Sequence, residues 1–328
     1  MTTRVPQLAA VASLAALALA GCVSDVPAPV TSAPPLEASG ALLDEQSARI
    51  IDQTMAELAA ADSAEDTEAL TDRVGGDVVT LRGVEYTLAA EEDGPAPTVL
   101  PAEMQAVYVS AAEEWPRTMA TVSEQPSEDE TPVVMLWVQE DVDTDYQLRH
   151  WAHMIPGATL PAMPGATTGA AQLALDADAV SPAPQEAIEA YAELLRAGPD
   201  SDLDATFAPD TYRERLFAAR DTLTEAANEA DGEYVETIQP DLEASYAMAT
   251  ADGGALVFAP LTISSTFTVE DATVSIDEAD EPLLEGELDD TVKHRYLDYL
   301  VIYVPGSGET DALPAVVAAE HTLIKVSD

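Results

Sequence analysis

From Trp115 the apolar period of the chain becomes two, after an opening stretch where it is that of a helix. This change from helical to strand-like period recurs in the second half of the chain. It constrains the fold more than any other feature, because a pattern of one period buries no continuous apolar face in the other kind of element. In the first half, Leu43, Ile50, Ile51, Met55 and Leu58 share one face of a helix predicted over Leu42–Ala61. Ser63-Ala64-Glu65-Asp66 predicts a new cap and a second helical segment through Leu70 and Val74, stopped by Gly75-Gly76. Val78–Leu88 fits a strand or a helix. "WPRTMATVSE", "TPVVMLWVQE" and "DYQLRHWAHMI" then form three strand-like runs between acidic or Pro-containing turns, an expected antiparallel meander.

Pro156-Gly157 and the stretch Pro161–Ala171 predict a connection between units. Ser181-Pro182 and Pro184 open a helix with Ile188, Tyr191, Leu194 and Leu195 inward, and Gly198-Pro199 ends it. A second helix over Asp210–Ala230 carries Tyr212, Leu216, Ala219 and Leu223. Strands are expected over Tyr234–Gln239, Glu243–Thr250, Ala255–Thr268, Val292–Val304 and Ala315–Val326, with a hairpin turn at Asp252-Gly253-Gly254. The stretches "AADSAEDTEALTDRV" (60–74) and "AGPDSDLDATFAPDTYRERL" (197–216) occupy the same place in the two halves. Helix, helix, then strands, twice, resembles the cystatin-like or nuclear-transport-factor-like α+β roll. The expected fold class is therefore α+β, with two helix-plus-bent-antiparallel-sheet units at 41–165 and 180–328 related by duplication. Fold likeness of this kind carries no function with it.

The N-terminus reads separately. Arg4 is followed by an apolar run from Leu8 to Ala20, broken only by Ser13. That is too short for a bilayer span, which needs roughly 20 residues, and it fits the core of a signal peptide. The run ends in Leu19-Ala20-Gly21-Cys22, and Cys22 is the sole cysteine. The stretch resembles the lipobox of bacterial lipoproteins. That resemblance implies a diacylglycerol thioether at Cys22 and removal of residues 1–21. Two acyl chains anchor stably where one is marginal. Residues 22–40 continue as "CVSDVPAPVTSAPPLEASG", a Pro/Ala/Ser-rich tether that extends to roughly 50 Å in a polyproline II conformation. Without a second cysteine no disulfide supports the fold, so a core must.

The formal net charge is −48, from 61 acidic residues against 13 basic ones. Such a surface excludes nucleic acid as a partner and disfavours anionic membrane surfaces or wall polymers. Abundant Ala, and 11 Arg against 2 Lys, fit a high-GC actinobacterium, with a haloarchaeon as the other acidic source. The lipobox, the tether, "EEWPRTM", "ADGGALV" and "YLDYLVIYVP" together resemble acidic, Ala-rich actinobacterial lipoproteins carrying a domain of unknown function. No catalytic residues carry over from that resemblance.

Candidate chemistry is sparse. His150 and His153 would share a helix face, but here they lie in a strand and point to opposite sides, so they are not joint metal ligands. Asp141, Asp143 and Asp145 open like a Ca²⁺ loop, yet Tyr146 stands where Gly is required and Ala152 where a bidentate Glu belongs. A solvated acidic turn is expected instead. Asp277–Asp290 reads as a flexible, solvated loop before the strand Val292–Val304. His294 and Asp298 share a strand face about 13 Å apart, and Glu320 and His321 face apart. In rolls of this type a His–Asp dyad draws its members from different elements, and the sequence identifies none. Tyr296 and Leu300 lie on one side of their strand, and Tyr299, Val301 and Tyr303 on the other.

No cofactor, metal or catalytic residue is expected. Cys22 is the single assigned site, as the point of lipid attachment. The expectation is a lipid-anchored protein on the extracytoplasmic face of the cell membrane with a non-catalytic binding or envelope-support role. Its partners would be the membrane, through the anchor, and an envelope protein. The alternatives are the solute-binding lipoprotein of an importer, or a hydrolase or isomerase using a roll pocket. Parallel sheets around a cleft would favour the first alternative, and a deep pocket with a His–carboxylate contact the second.

Overall fold

The computed structural model describes residues 39–328 apart from 114, 128, 271, 307 and 309–311. Cys22, the lipobox-like stretch and the tether up to residue 38 lie outside the described residues. The helices are α1 (Asp44–Ala64), α2 (Asp77–Ala89), α3 (Pro184–Ala197) and α4 (Thr211–Glu229). The strands of the first half are β1 (Met104–Val109), β2 (Arg117–Ser123), β3 (Val133–Gln139) and β4 (Gln147–Met154). β5 (Gln172–Leu173), β6 (Glu233–Pro240), β7 (Tyr246–Ala249) and β8 (Ala255–Thr268) follow. β9 (Leu284–Glu285), β10 (Thr291–Val304) and β11 (Ala315–Ser327) complete the set.

Most elements match the apolar pattern, and the departures have local causes. The helical segment expected through Val74 is a single turn, Thr67–Ala69. The carboxylate of Glu57, on α1, accepts the backbone N–H groups of Thr71 and Arg73, at 2.7 and 3.2 Å. Those donors are then lost to a helical ladder. The ambiguous stretch Val78–Leu88 is the helix α2, entered through Gly76 at φ 61°, a conformation that favours glycine. β1 precedes the first strand expected from the sequence. Asp277–Asp290 is solvated, with most of its acids exposed, and carries regular structure: a 3-10 helix (Glu278–Leu283) leads into β9. Leu283, Leu284 and Leu288 anchor it in a small apolar cluster with Val84, Val292 and Val326.

Over the described residues the protein is α+β with one large sheet of 11 strands. Its main path runs β1-β2-β3-β4-β11-β10-β8-β7-β5, with β6 also on β8 and β9 on β11. All pairings between strands are antiparallel except β9–β11. Stretches 41–165 and 180–328 thus share a single sheet, and Ala38–Asp328 forms one compact unit.

Two apolar cores lie on opposite faces of this sheet, and β8 and β10 serve both. Leu256, Phe258, Leu297, Tyr299 and Val301 join the core of α1 and α2. The intervening Val257, Ala259, Leu300, Ile302 and Val304 join the core of α3 and α4. Alternate side chains of a strand point to opposite faces, so a strand covered on both sides reads as an unbroken apolar run. That is the physical content of "ALVFAPL" and "YLVIYV". The strand pairing that joins the halves is short: β4 and β11 pair at Met154–Ala318 and His153–Ala319, and the ladder stops there. A cleft opens beside this join.

Candidate functional site

Asp298 is the one acid in the run "YLDYLVIYV" of β10, and it is fully buried. Its register partner on β11 is His321. The His321 Nδ1 lies 2.7 Å from Asp298 Oδ2. Tyr212, in the first turn of α4, donates its hydroxyl to the same oxygen at 2.5 Å. Asp298 Oδ1 is buried without a hydrogen-bond partner. A buried carboxylate is costly, and hydrogen bonds offset only part of that cost. Burial accordingly pushes the Asp298 carboxyl up from its ordinary range, against the pull of the His321 hydrogen bond. For His321, burial pulls the imidazole down, but the hydrogen bond and charge of Asp298 outweigh it and hold the pKa above the usual value.

Two further layers fix this pair. The His321 ring stacks on Tyr296 with centroids 4.3 Å apart and planes 16° from parallel. The first turn of α4 is held by Asp210, whose Oδ1 accepts the Arg213 N–H at 2.8 Å and whose Oδ2 accepts the Tyr191 hydroxyl at 3.0 Å. Arg213 also reaches Asp204 at 3.2 Å. Tyr212 is thereby presented to β10 by a cap that is itself buried.

A second histidine–carboxylate pair stands beside the first. His153 Nδ1 lies 2.8 Å from Glu320 Oε2. This hydrogen bond raises the His153 pKa above the ordinary value. Glu320 and His321 are neighbours on β11, and each pairs with a residue of a different strand. Both histidines line a cleft of about 560 Å³ beside the β4–β11 join. Met154, Ile155, Pro156 and Leu216 give it apolar wall, Thr211, Tyr212 and Arg215 bring in the start of α4, and Asp129 and Glu130 add acids.

The other residues singled out in the sequence fall elsewhere. His150 and His153 occupy separate environments. His150 is buried, with Nε2 3.0 Å from the Ala244 carbonyl and its ring 4.8 Å from that of Tyr299. Burial drives its pKa down to about 4. Asp141 accepts the Asp143 N–H at 2.8 Å within a turn, and Asp145 pairs with Arg73 at 3.1 Å. His294 does not reach Asp298; its ring stacks beside Tyr296 at 6.2 Å. Tyr299 is buried in the first core, and Tyr303 donates to Asp252 at 2.6 Å. Among the described residues no group of three or more His, Cys, Asp or Glu is placed to hold a metal ion. No helix among them is long and apolar enough to cross a membrane.

The pairs Asp298–His321 and His153–Glu320, and the role of Tyr212, were not identified from the sequence. One signal was available: a lone acid inside a fully apolar strand must find a buried partner. Which partner it finds depends on strand register, which local pattern does not specify. A family model described as "Domain of unknown function (DUF8094)" matches residues 38–326. No curated protein and no solved structure matches the chain.

Proposed function

Since the chain belongs to the DUF8094 family, a domain of unknown function that spans almost all of its described body, we propose its role from the site itself: a lipid-anchored envelope protein that binds a small ligand in the cleft beside the β4–β11 join. The observation that carries the ligand site is Asp298. A fully buried carboxylate with one unpartnered oxygen is expensive to keep, and here it serves to fix an imidazole at the edge of an open cleft. Cleft volume falls within the range of small-molecule sites. The net charge of −48, with Asp129 and Glu130 at the cleft, favours a neutral or cationic ligand over an anion.

Anchoring at Cys22, location on the extracytoplasmic face, actinobacterial origin and descent by duplication of a cystatin-like roll belong to the same proposal. The first three are supported by the lipobox-like "LALAGC" with its tether and by the acidic, Arg-biased composition. The last is supported by the repeated order α1-α2-strands and α3-α4-strands.

Both parts are testable. In a bacterial host the wild type should fractionate with membranes and Cys22→Ala should not; retention of the variant at unchanged mass would refute lipid anchoring. Butyramide, a neutral probe with a short apolar chain, should shift the imidazole NMR signals of His153 and His321, and butyrate should do so far more weakly. Unmoved signals would refute a ligand site in the cleft.

A further inference from the structure

Resting on that reading of the cleft, we propose that its two histidines act as an acid–base pair hydrolysing small esters with a short apolar acyl group, His321 as general base and His153 as general acid. Each ring is fixed through Nδ1, to Asp298 at 2.7 Å and to Glu320 at 2.8 Å. In each the Nε2 is left as the nitrogen for an outside group. Both rings are partly exposed and line the same cleft, with side-chain exposures of 34% for His321 and 41% for His153.

Their surroundings divide the roles. His321 has a wholly buried carboxylate behind it and Tyr296 stacked on its face, so a second proton arriving at Nε2 forms a cation that is already paired and oriented. His153 has Glu320 at 2.8 Å and Glu130 nearby, carboxylates that favour its protonated form and so keep a proton available for donation. The titratable groups around His321 are Asp298 and Tyr296 on β10, Tyr212 on α4, Glu236 on β6 and Glu320 on its own strand. Those around His153 are Glu320 on β11 and Glu130 before β3.

The nucleophile is water: among the described residues that line the cleft there is no serine or cysteine, and the hydroxyls of Thr131 and Thr211 are hydrogen-bonded to neither histidine. A water proton passes to His321 Nε2 as the water oxygen bonds to the acyl carbon. As the bond from that carbon to the alkoxy oxygen breaks, His153 Nε2 gives its proton to the departing oxygen. The products are an acid and an alcohol, and the two imidazoles return to their starting states by exchange with solvent. Charge on the carbonyl oxygen during addition is met by the guanidinium of Arg215, which lines the same cleft. Met154, Ile155 and Leu216 take the acyl chain.

The test uses the full chain in detergent with ethyl butyrate and p-nitrophenyl butyrate, against free imidazole at equal concentration. Both esters should turn over faster than with imidazole, with a bell-shaped pH profile. His321→Gln should lower both rates by roughly 100-fold or more. His153→Gln should lower ethyl butyrate hydrolysis by a similar factor and p-nitrophenyl butyrate hydrolysis by a far smaller one, because nitrophenolate departs without a proton and ethoxide does not. Asp298→Asn, which keeps the shape of the side chain, should lower both rates and provides a second variant if His321→Gln misfolds. Rates no faster than imidazole overturn the proposal, as does equal loss of both esters in His153→Gln. If butyramide shifts the two imidazoles but neither ester turns over, ligand binding stands and hydrolysis falls. If neither occurs, both fall.

Discussion

Asp298 and His321 face each other across the β10–β11 ladder, the carboxylate fully shielded from solvent and the imidazole open to a cleft. One oxygen of Asp298 accepts from both His321 and Tyr212, so three elements meet at a single atom: β10, β11 and α4. A strand, its hairpin neighbour and a helix cap from the preceding segment thus have to be in place before the histidine is oriented. The site is a product of the assembled sheet rather than of a loop.

Asp298→Asn removes the charge and keeps the shape. The burial that pulls His321 down then stays, while the hydrogen bond to a carboxylate that holds it up is gone. The His321 titration midpoint, followed by NMR, should fall, with Glu236 and Glu320 left as the only carboxylates holding it up among the described residues. A midpoint that does not fall would mean that Asp298 is not the source of the shift.

Tyr212→Phe deletes one of two donors to the buried carboxylate. Hydrogen bonds to charged groups contribute about 1.5–3 kcal/mol, and urea unfolding should show a loss of that order. The His321 contact with Asp298 remains, so the variant should stay folded. An unchanged urea midpoint would show that α4 is not fastened to β10 through this hydroxyl.

His150 predicts an acid limb to the stability curve. Its folded pKa is depressed to about 4 from an ordinary 6.5, because burial disfavours the charged ring. Between those values the unfolded chain binds the proton and the folded chain does not, so stability rises with pH across this window. Acidification from neutral to about pH 4 should cost on the order of 3 kcal/mol from this one residue. His150→Gln, which retains a donor for the Ala244 carbonyl, should flatten that limb, and wild-type slope in the variant would contradict it. His153 and His321 act with opposite sign. Their folded pKa values are raised, so their contribution is full below the ordinary histidine range and fades as pH rises through the raised values.

Thr54→Val tests the first core. The Trp137 indole N–H donates to Thr54 Oγ1 at 3.0 Å, and both residues are fully buried. Valine fills the same space and offers no acceptor, so the indole N–H is left unpaired in the interior. Such a group costs about 1–3 kcal/mol. Thermal unfolding should move down accordingly, and no change would show that the indole finds another acceptor.

Period and punctuation alone determined much of the architecture. Ala255–Thr268 is read from the sequence to the residue, and the second helix pair and the β2–β4 meander to within a few residues. Those features are local: an apolar stripe, a Pro at a helix start, a Gly-Gly at its end. The sequence also carried the α+β class and the acidity that shapes the choice of ligand. What it left undecided was pairing at a distance. That β4 joins β11 into one sheet depends on which edges meet, and period-two patterns are the same for every possible neighbour. The opposition of Asp298 to His321 follows from register across β10 and β11, and the reach of Tyr212 from the packing of α4 on that face. "YLDYLVIYV" announces a buried acid; only the folded sheet supplies its histidine.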